Sequence, residues 1–229
     1  MSLLLNIDTA TEVAFVSIAD NGYILQEAVN KEQKDHAFFL HTSIEALCKK
    51  ANVHLSEISA VAVTAGPGSY TGLRVGMASA KGLCFALNIP LITIGSLDVM
   101  AWQAIHTVQN LPSGLPVLFC PMIDARRMEV FTATFDSGLN PQILPLAMVL
   151  DENSFANQLL NNRVVFTGNG ALKWRDLCIH NNAIFISPDV NALYMSELSY
   201  KKYLQKEFAD IAYVEPLYVK EFFNGGSKP

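Results

Sequence analysis

Two short stretches of this chain carry groups that can handle an anion. The run Gly66-Pro67-Gly68-Ser69-Tyr70-Thr71-Gly72 joins an apolar stretch to a helical one. Free backbone N–H groups and the helix dipole favour negative charge at such a junction. Gly66 and Gly68 permit positive φ and let a phosphate or another backbone come close. The Ser69 and Thr71 hydroxyls can cap the helix or touch a ligand. The frame is neither a Walker loop nor a dinucleotide fingerprint, because no lysine follows the glycines and no G-x-G-x-x-G is present. A tight strand-to-helix turn with a hydroxyl cap accounts for the same residues. Asp8, Thr9 and Thr11 sit where one strand turns into the next. A carboxylate with hydroxyls beside it can organise a hydrated cation and phosphate oxygens, or it can satisfy its own backbone as an Asx turn. Asp124-Ala125-Arg126-Arg127 repeats the strand-end carboxylate and adds two guanidiniums, which suit a phosphate or a carboxylate, or solvent.

Other chemistries find little support. His36 and His41 are five apart and point to different helix faces, and His54, His106 and His180 are isolated. Without an H-x-x-x-H or H-E-x-x-H pair, no metal site is expected. No Ser/His/Asp or Cys/His set has a local signature, so no catalytic residue is assigned. Cys48, Cys84, Cys120 and Cys178 are scattered in apolar contexts, which reads as reduced, buried thiols in the cytoplasm. The formal charge is −5 and no basic run exceeds two residues. That is not the footprint of a strong nucleic-acid binder acting by itself. No apolar run reaches the roughly 18 residues of a membrane span, and the first eight residues read as a buried strand rather than a signal peptide.

The elements that would position these groups come in a repeating order. Strands are predicted at 2–8, 12–19 and 23–29, with Asp20-Asn21-Gly22 as a hairpin turn between the last two. A helix follows at 36–51, a strand at 59–65, the glycine loop, a helix at 72–87, a strand at 91–95 and a helix capped by Ser96. The second half predicts strands at 115–123, 128–135 and 142–149, a helix from Asp151 to about Leu160 and a strand at 164–167. A short helix at 171–178, a strand at 183–187 and a helix at 190–207 complete it. Both halves read βββαβαβα, the pattern of an α/β protein with two lobes, divided at 1–108 and 109–223. Helix 190–207 is expected to pack back on the first lobe or to bridge the two, and 224–229 to be a disordered tail.

The helix after the glycine loop places Gly72, Gly76 and Ala80 at four-residue intervals beside Ser79, with Leu73, Met77 and Leu83 around them. A row of small residues lets another helix approach closely, and a helix with apolar faces on both sides of such a row has more than one surface to bury. Phe38 and Phe39 point partly away from the Leu40-Ile44 stripe of helix 36–51. These residues are therefore expected to form a subunit interface.

Ile7-Asp8-Thr9-Ala10-Thr11, the run from Gly66 to Gly76, Ala80-Lys81-Gly82-Leu83, Asp124-Ala125-Arg126 and the ending Glu215-Pro216-Leu217-Tyr218-Val219 together resemble the bacterial TsaB (YeaZ) proteins over nearly the whole chain. The resemblance implies two ribonuclease-H-like lobes of the actin-like and sugar-kinase-like ATPase superfamily, each with a mixed five-stranded sheet flanked by helices. It implies a role in forming the threonylcarbamoyl group on the tRNA adenosine next to the anticodon. The chain would be a non-catalytic subunit there, pairing with a TsaD-type catalytic paralogue, joined by a TsaE-type ATPase, and pairing with itself when alone. tRNA would be met only through the complex. No tightly bound cofactor is expected, and ATP or ADP only at the level of the complex. Where the catalytic paralogue has two metal-binding histidines four apart, this chain has Ser96 and Met100; a hydroxyl and a thioether do not replace two imidazoles at a hard-metal site. A nucleotide-dependent phosphotransferase or ATPase using Asp8, the glycine loop and Asp124 is the second reading, and a metallopeptidase a remote third.

Overall fold

The structure, a computed structural model, describes residues 2–32, 36–109, 111 and 113–220. The expected tail at 224–229 lies outside the described residues. Strands β1 (Leu3–Asp8), β2 (Ala14–Asp20), β3 (Tyr23–Asn30), β4 (Ala60–Gly66) and β5 (Leu91–Gly95) form one sheet in the order β3-β2-β1-β4-β5. Strands β6 (Val117–Asp124), β7 (Glu129–Phe135), β8 (Pro141–Val149), β9 (Arg163–Thr167) and β10 (Ala183–Ile186) form the second, in the order β10-β9-β6-β7-β8. Each sheet is mixed: its first three strands are antiparallel and its last two parallel to the first. The near-continuous apolar runs of β1 and β4 follow from this central position, with a helical layer on each face. The two lobes have one topology, as the repeated element order predicts.

On one face of the first sheet lie α1 (His36–Ala51) and α2 (Tyr70–Leu87), whose Leu40, Leu47, Met77 and Ala80 close over Leu5, Ile7, Val61 and Val63. On one face of the second sheet lie α4 (Ala156–Asn161) and α5 (Asn169–Arg175), with Phe155, Phe166 and the fully buried Trp174 packed edge to face.

The remaining two helices each reach the sheet of the other half, the crossing of α3 lying outside the expected division at residue 108. Helix α3 (Ser96–Thr107) belongs in sequence to the first half, yet it sets Leu97 and Ala101 against Ile123, Ala133 and Phe135, and Ala104 against Phe119 and Val165. Helix α6 (Ala192–Gln205), from the second half, lays Ala192, Met195 and Leu198 on Leu4, Phe15, Ala62 and Ile92 of the first sheet. Trp102 Nε1 donates to Glu197 Oε2 at 2.7 Å and ties the two helices together.

A buried polar cluster fixes where α6 sits. Asn6, Ser17, Ser196 and Ser199 are all fully buried. Asn6 Nδ2 donates to Ser196 Oγ at 2.9 Å and to Ser17 Oγ at 3.3 Å, and Ser199 Oγ donates to Asn6 Oδ1 at 2.6 Å. Removing one member strands its partners away from water, at about 1–3 kcal/mol. Asn6→Ala is expected to lower unfolding stability by about 2–3 kcal/mol, read as a shift in urea midpoint at constant slope.

After α6 the chain continues as an extended strap across the first lobe. Ala209 N–H donates to Leu91 O at 2.8 Å and Leu217 N–H to Ala65 O at 2.6 Å. Lys81 Nζ donates to Val214 O, and Ile211 and Val214 pack on the core beneath α2.

Candidate functional site

The tips of β1 and β6 face each other across the gap between the lobes, with the glycine loop beside them. A groove of about 490 Å³ is lined by Thr11, Gly68, Ser69 and Thr71 on one side and Asp124, Arg126 and Asn169 on the other. A deeper cleft of about 330 Å³ continues past Asp8 to Ser96, Met100 and Asn169. The structure thus gathers Thr11, Gly68, Ser69, Thr71 and Asp124 around one groove, with Asp8 in the adjoining cleft that Thr11 also lines.

Much of that set is nonetheless engaged internally, which corrects the anion reading at several positions. A Cβ on Gly68 would land on the Ala10 carbonyl, and one on Gly72 on the Thr9 carbonyl. The close approach these glycines permit is therefore that of the chain's own Thr9-Ala10 backbone, in the place a phosphate would need. Ser69 N–H donates to Ala10 O at 2.7 Å, while Ser69 Oγ accepts from Gly72 N–H at 3.3 Å as the helix N-cap. Thr9 is fully buried and gives its hydroxyl to Gly72 O at 2.7 Å. Gly66, at φ +109°, makes room for Leu217 of the strap instead of for a ligand. Thr11 Oγ1 donates to Val13 O at 3.1 Å. Thr71 is exposed at the groove.

The two strand-end carboxylates have opposite electrostatic settings. Asp8 Oδ1 accepts from Ala10 N–H at 2.9 Å and from Thr64 Oγ1 at 3.0 Å. Burial nevertheless dominates and raises its pKa, against those two bonds and the nearby His36, which lower it. Burial also acts on Asp124, but the Lys173 ammonium at 2.8 Å and the Arg126 N–H at 2.6 Å outweigh it and hold the carboxyl below its ordinary range. Lys173 Nζ also donates to Arg127 O at 2.8 Å and Glu129 O at 2.6 Å, so an ammonium of the chain itself occupies the position a cation would take beside Asp124.

The Asp8 shift has a sign that can be checked. A carboxyl whose pKa is raised by folding binds its proton more tightly when folded, so its charge opposes folding as pH rises above the ordinary value of 3.8. Asp8→Asn keeps an oxygen acceptor for Ala10 and Thr64 and removes that charge. The variant is expected to melt higher than the wild type at pH 7, with the difference vanishing below pH 3.8, where both are uncharged. Thermal melts across that range decide it; a variant that melts lower at neutral pH contradicts the assignment.

Around α3 the expected cap is corrected. Gly95 is the N-cap, and Ser96, the first helical residue, is 3% exposed with its hydroxyl unpartnered among the described residues. Met100 closes the cleft floor, since a Cβ on Gly168 would fall on its terminal methyl. No group of three or more His, Cys, Asp or Glu side chains that could hold a metal ion is present among the described residues.

The small-residue row of α2 is also corrected. Gly72, Leu73, Gly76, Met77 and Ala80 are buried within their own lobe, and a Cβ on Gly76 would run into Thr9 Oγ1. The row that faces outward is one register over: Ala78, Gly82 and Ala86 are exposed, and a Cβ on Gly82 meets nothing within 4 Å. Phe85 beside it is 83% exposed and Phe38 on α1 is 73% exposed. Phe39, Ser79 and Leu83 are half-buried. Between the helices runs an apolar groove of about 620 Å³ that includes Ile44, Cys48, Val53, Leu55 and Leu83.

Twin lobes of this topology, meeting over two strand-end carboxylates and a glycine loop, place the chain among the two-lobed actin-like and sugar-kinase-like ATPase folds. A polyphosphate/ATP-glucomannokinase from Arthrobacter sp. strain KM superposes with a TM-score of 0.51 at 12% identity, covering 90% of this chain and all of that one. YeaZ from Pseudomonas aeruginosa superposes better, with a TM-score of 0.77 at 21% identity over 95% of this chain and all of that one. In sequence, a tRNA threonylcarbamoyladenosine biosynthesis protein TsaB from Haemophilus influenzae is 29% identical, covering 95% of this chain and 93% of that protein. The family model described as "TsaD: tRNA N6-adenosine threonylcarbamoyltransferase" matches residues 24–216. The chain belongs to that family and, within it, is of the TsaB (YeaZ) type.

Proposed function

We propose that this chain acts in forming threonylcarbamoyladenosine on tRNA as a non-catalytic subunit. It would pair through α1 and α2 with a TsaD-type catalytic paralogue and take part in recruiting a TsaE-type ATPase. The observation that carries this reading is the outward face of those helices. Phe38 on α1 and Phe85 on α2 stand in solvent, an apolar groove runs along α1 to Leu83, and α2 carries an exposed row of small residues that leaves room for another helix. Large exposed apolar groups grouped in this way mark an association surface. The same face would serve self-pairing, so the two pairings should compete. The site in the lobe gap supports the accessory role, because its glycine loop, Thr9 and Asp124 are committed to internal bonds. Ser96 and Met100 stand where the paralogue's histidines are expected. ATP or ADP would then enter at the level of the complex, and the work would be done in the cytoplasm.

Depleting the protein and measuring tRNA nucleosides by mass spectrometry tests the pathway, with loss of the threonylcarbamoyl nucleoside as the expected result. Capture of the TsaD-type paralogue by the purified chain tests the role; no capture would sink it. The second reading, an ATPase or phosphotransferase acting alone, needs nucleotide binding and phosphate release by the isolated protein.

A further inference from the structure

We infer that this chain itself offers a phosphodiester-binding ridge to tRNA, built from Tyr70, Arg74, Tyr218, Lys220, Arg126 and Arg127. The inference rests on the tRNA reading above and names the residues that would touch the nucleic acid. No basic run exists in the sequence, but folding assembles one from separate segments. Arg74 on α2 lies over the Tyr70 ring, 4.0 Å from its centroid, and its Nε donates to Tyr218 Oη at 3.1 Å. The Tyr70 and Tyr218 rings are 5.2 Å apart. Two residues further along the strap, Lys220 Nζ reaches Glu129 Oε2 at 2.6 Å on the second lobe. That contact leads to the β6–β7 turn, which carries Arg126 and Arg127.

Charge and backbone both single out the turn. Lys173 neutralises Asp124 and Lys220 neutralises Glu129, while the exposed guanidiniums of Arg126 and Arg127 form no ion pair among the described residues. Among the described residues, Glu12 across the groove and Glu215 near Arg74 are further carboxylates at the ridge. In a chain of net charge −5 this ridge gathers Arg74, Lys220, Arg126 and Arg127 on neighbouring segments. Arg126 and Arg127 both have positive φ, +71° and +49°, a conformation that Asn and Gly adopt far more readily. The Lys173 bonds to Arg127 O and Glu129 O hold the turn in that shape. Two consecutive left-handed residues thus hold both guanidiniums out from the turn, where they are exposed. Guanidiniums grip phosphate oxygens in pairs, and aromatic rings interleaved with cations suit a nucleic-acid strand.

The test is a fluorescence-anisotropy titration of an unmodified tRNA transcript with the isolated chain at low ionic strength, repeated across salt. Replacing the turn by Arg126→Asn with Arg127→Gly is expected to weaken binding about tenfold or more and to reduce the salt slope by about 2. The same double variant should melt about 2–4 °C higher, because relieving the left-handed arginines stabilises the fold. Arg74→Gln should weaken binding as well, and Lys201→Gln, on the exposed side of α6, should not. ATP at matched phosphate concentration should fail to displace the tRNA. Equal binding by wild type and double variant, or displacement by ATP, overturns the ridge. Because the titration uses the chain alone, failed capture of the catalytic paralogue would sink the proposed pairing without moving this result.

Discussion

Gly76→Glu is expected to yield no folded protein. The Cβ of any residue here would overlap Thr9 Oγ1 and touch Val63 Cγ2 at 3.4 Å and Ile7 Cγ2 at 3.7 Å. A glutamate adds an unpaired carboxylate between α2 and the centre of the first sheet, where Ile7 and Val63 are fully buried. Burying a charge without a partner costs at least several kcal/mol, against a total stability of about 5–15 kcal/mol for a protein of ordinary robustness. Insoluble expression, or a soluble product without a cooperative melt, is the anticipated outcome. A variant with the wild-type melting curve would mean that this face of α2 does not pack as described.

Six residues along the same helix, on its outer face, Gly82→Glu should do the opposite. The position is exposed with nothing within 4 Å of a Cβ, so the side chain enters water in the free chain. Replacing a mid-helix glycine even gains about 0.5–1 kcal/mol of helix propensity, and the melting temperature should hold or rise. Pairing should be abolished, because a charge would stand where a second helix must come close. Phe85→Ser on the same face should weaken pairing about 10- to 100-fold, the worth of roughly 1.5–3 kcal/mol of apolar side-chain burial. Co-precipitation with the TsaD-type paralogue and sedimentation of the free chain read both effects. Wild-type association by the folded Gly82→Glu protein would remove α2 from the interface.

These two variants also mark what the sequence could and could not convey. Helix 36–51 and strand 91–95 stand at their expected boundaries, because three- and four-residue apolar spacing in one and a short apolar run after Pro90 in the other leave little choice. Helix α2 starts at Tyr70, two residues before expectation, since Ser69 and not a later residue caps it. The stretch from Asp151, expected to be helical, makes turns up to Phe155 before α4 begins. The orientation of α2 was out of reach of spacing. Gly72-Gly76-Ala80 and Ala78-Gly82-Ala86 have the same four-residue interval, and only the position of Thr9 and Ile7 in space decides which row is inside. The glycine loop was visible, but its function was not, because a glycine that admits a phosphate and one that admits the Ala10 carbonyl have the same letter. Asp8 and Asp124 were both recognisable as strand ends, while Lys173, which sets them apart, lies 49 residues from Asp124 with no motif to announce it.

The exchange of α3 and α6 between the sheets bears on how this molecule can come apart. A chain severed near residue 108 would give two fragments, each carrying a helix whose apolar side belongs to the other and each with one sheet face uncovered. Neither fragment would be expected to persist alone, and mixing them should be needed to restore either. The lobes are thus interlocked halves of one cooperative unit, free to flex about the cleft only as far as two crossed helices joined at Trp102 and Glu197 allow.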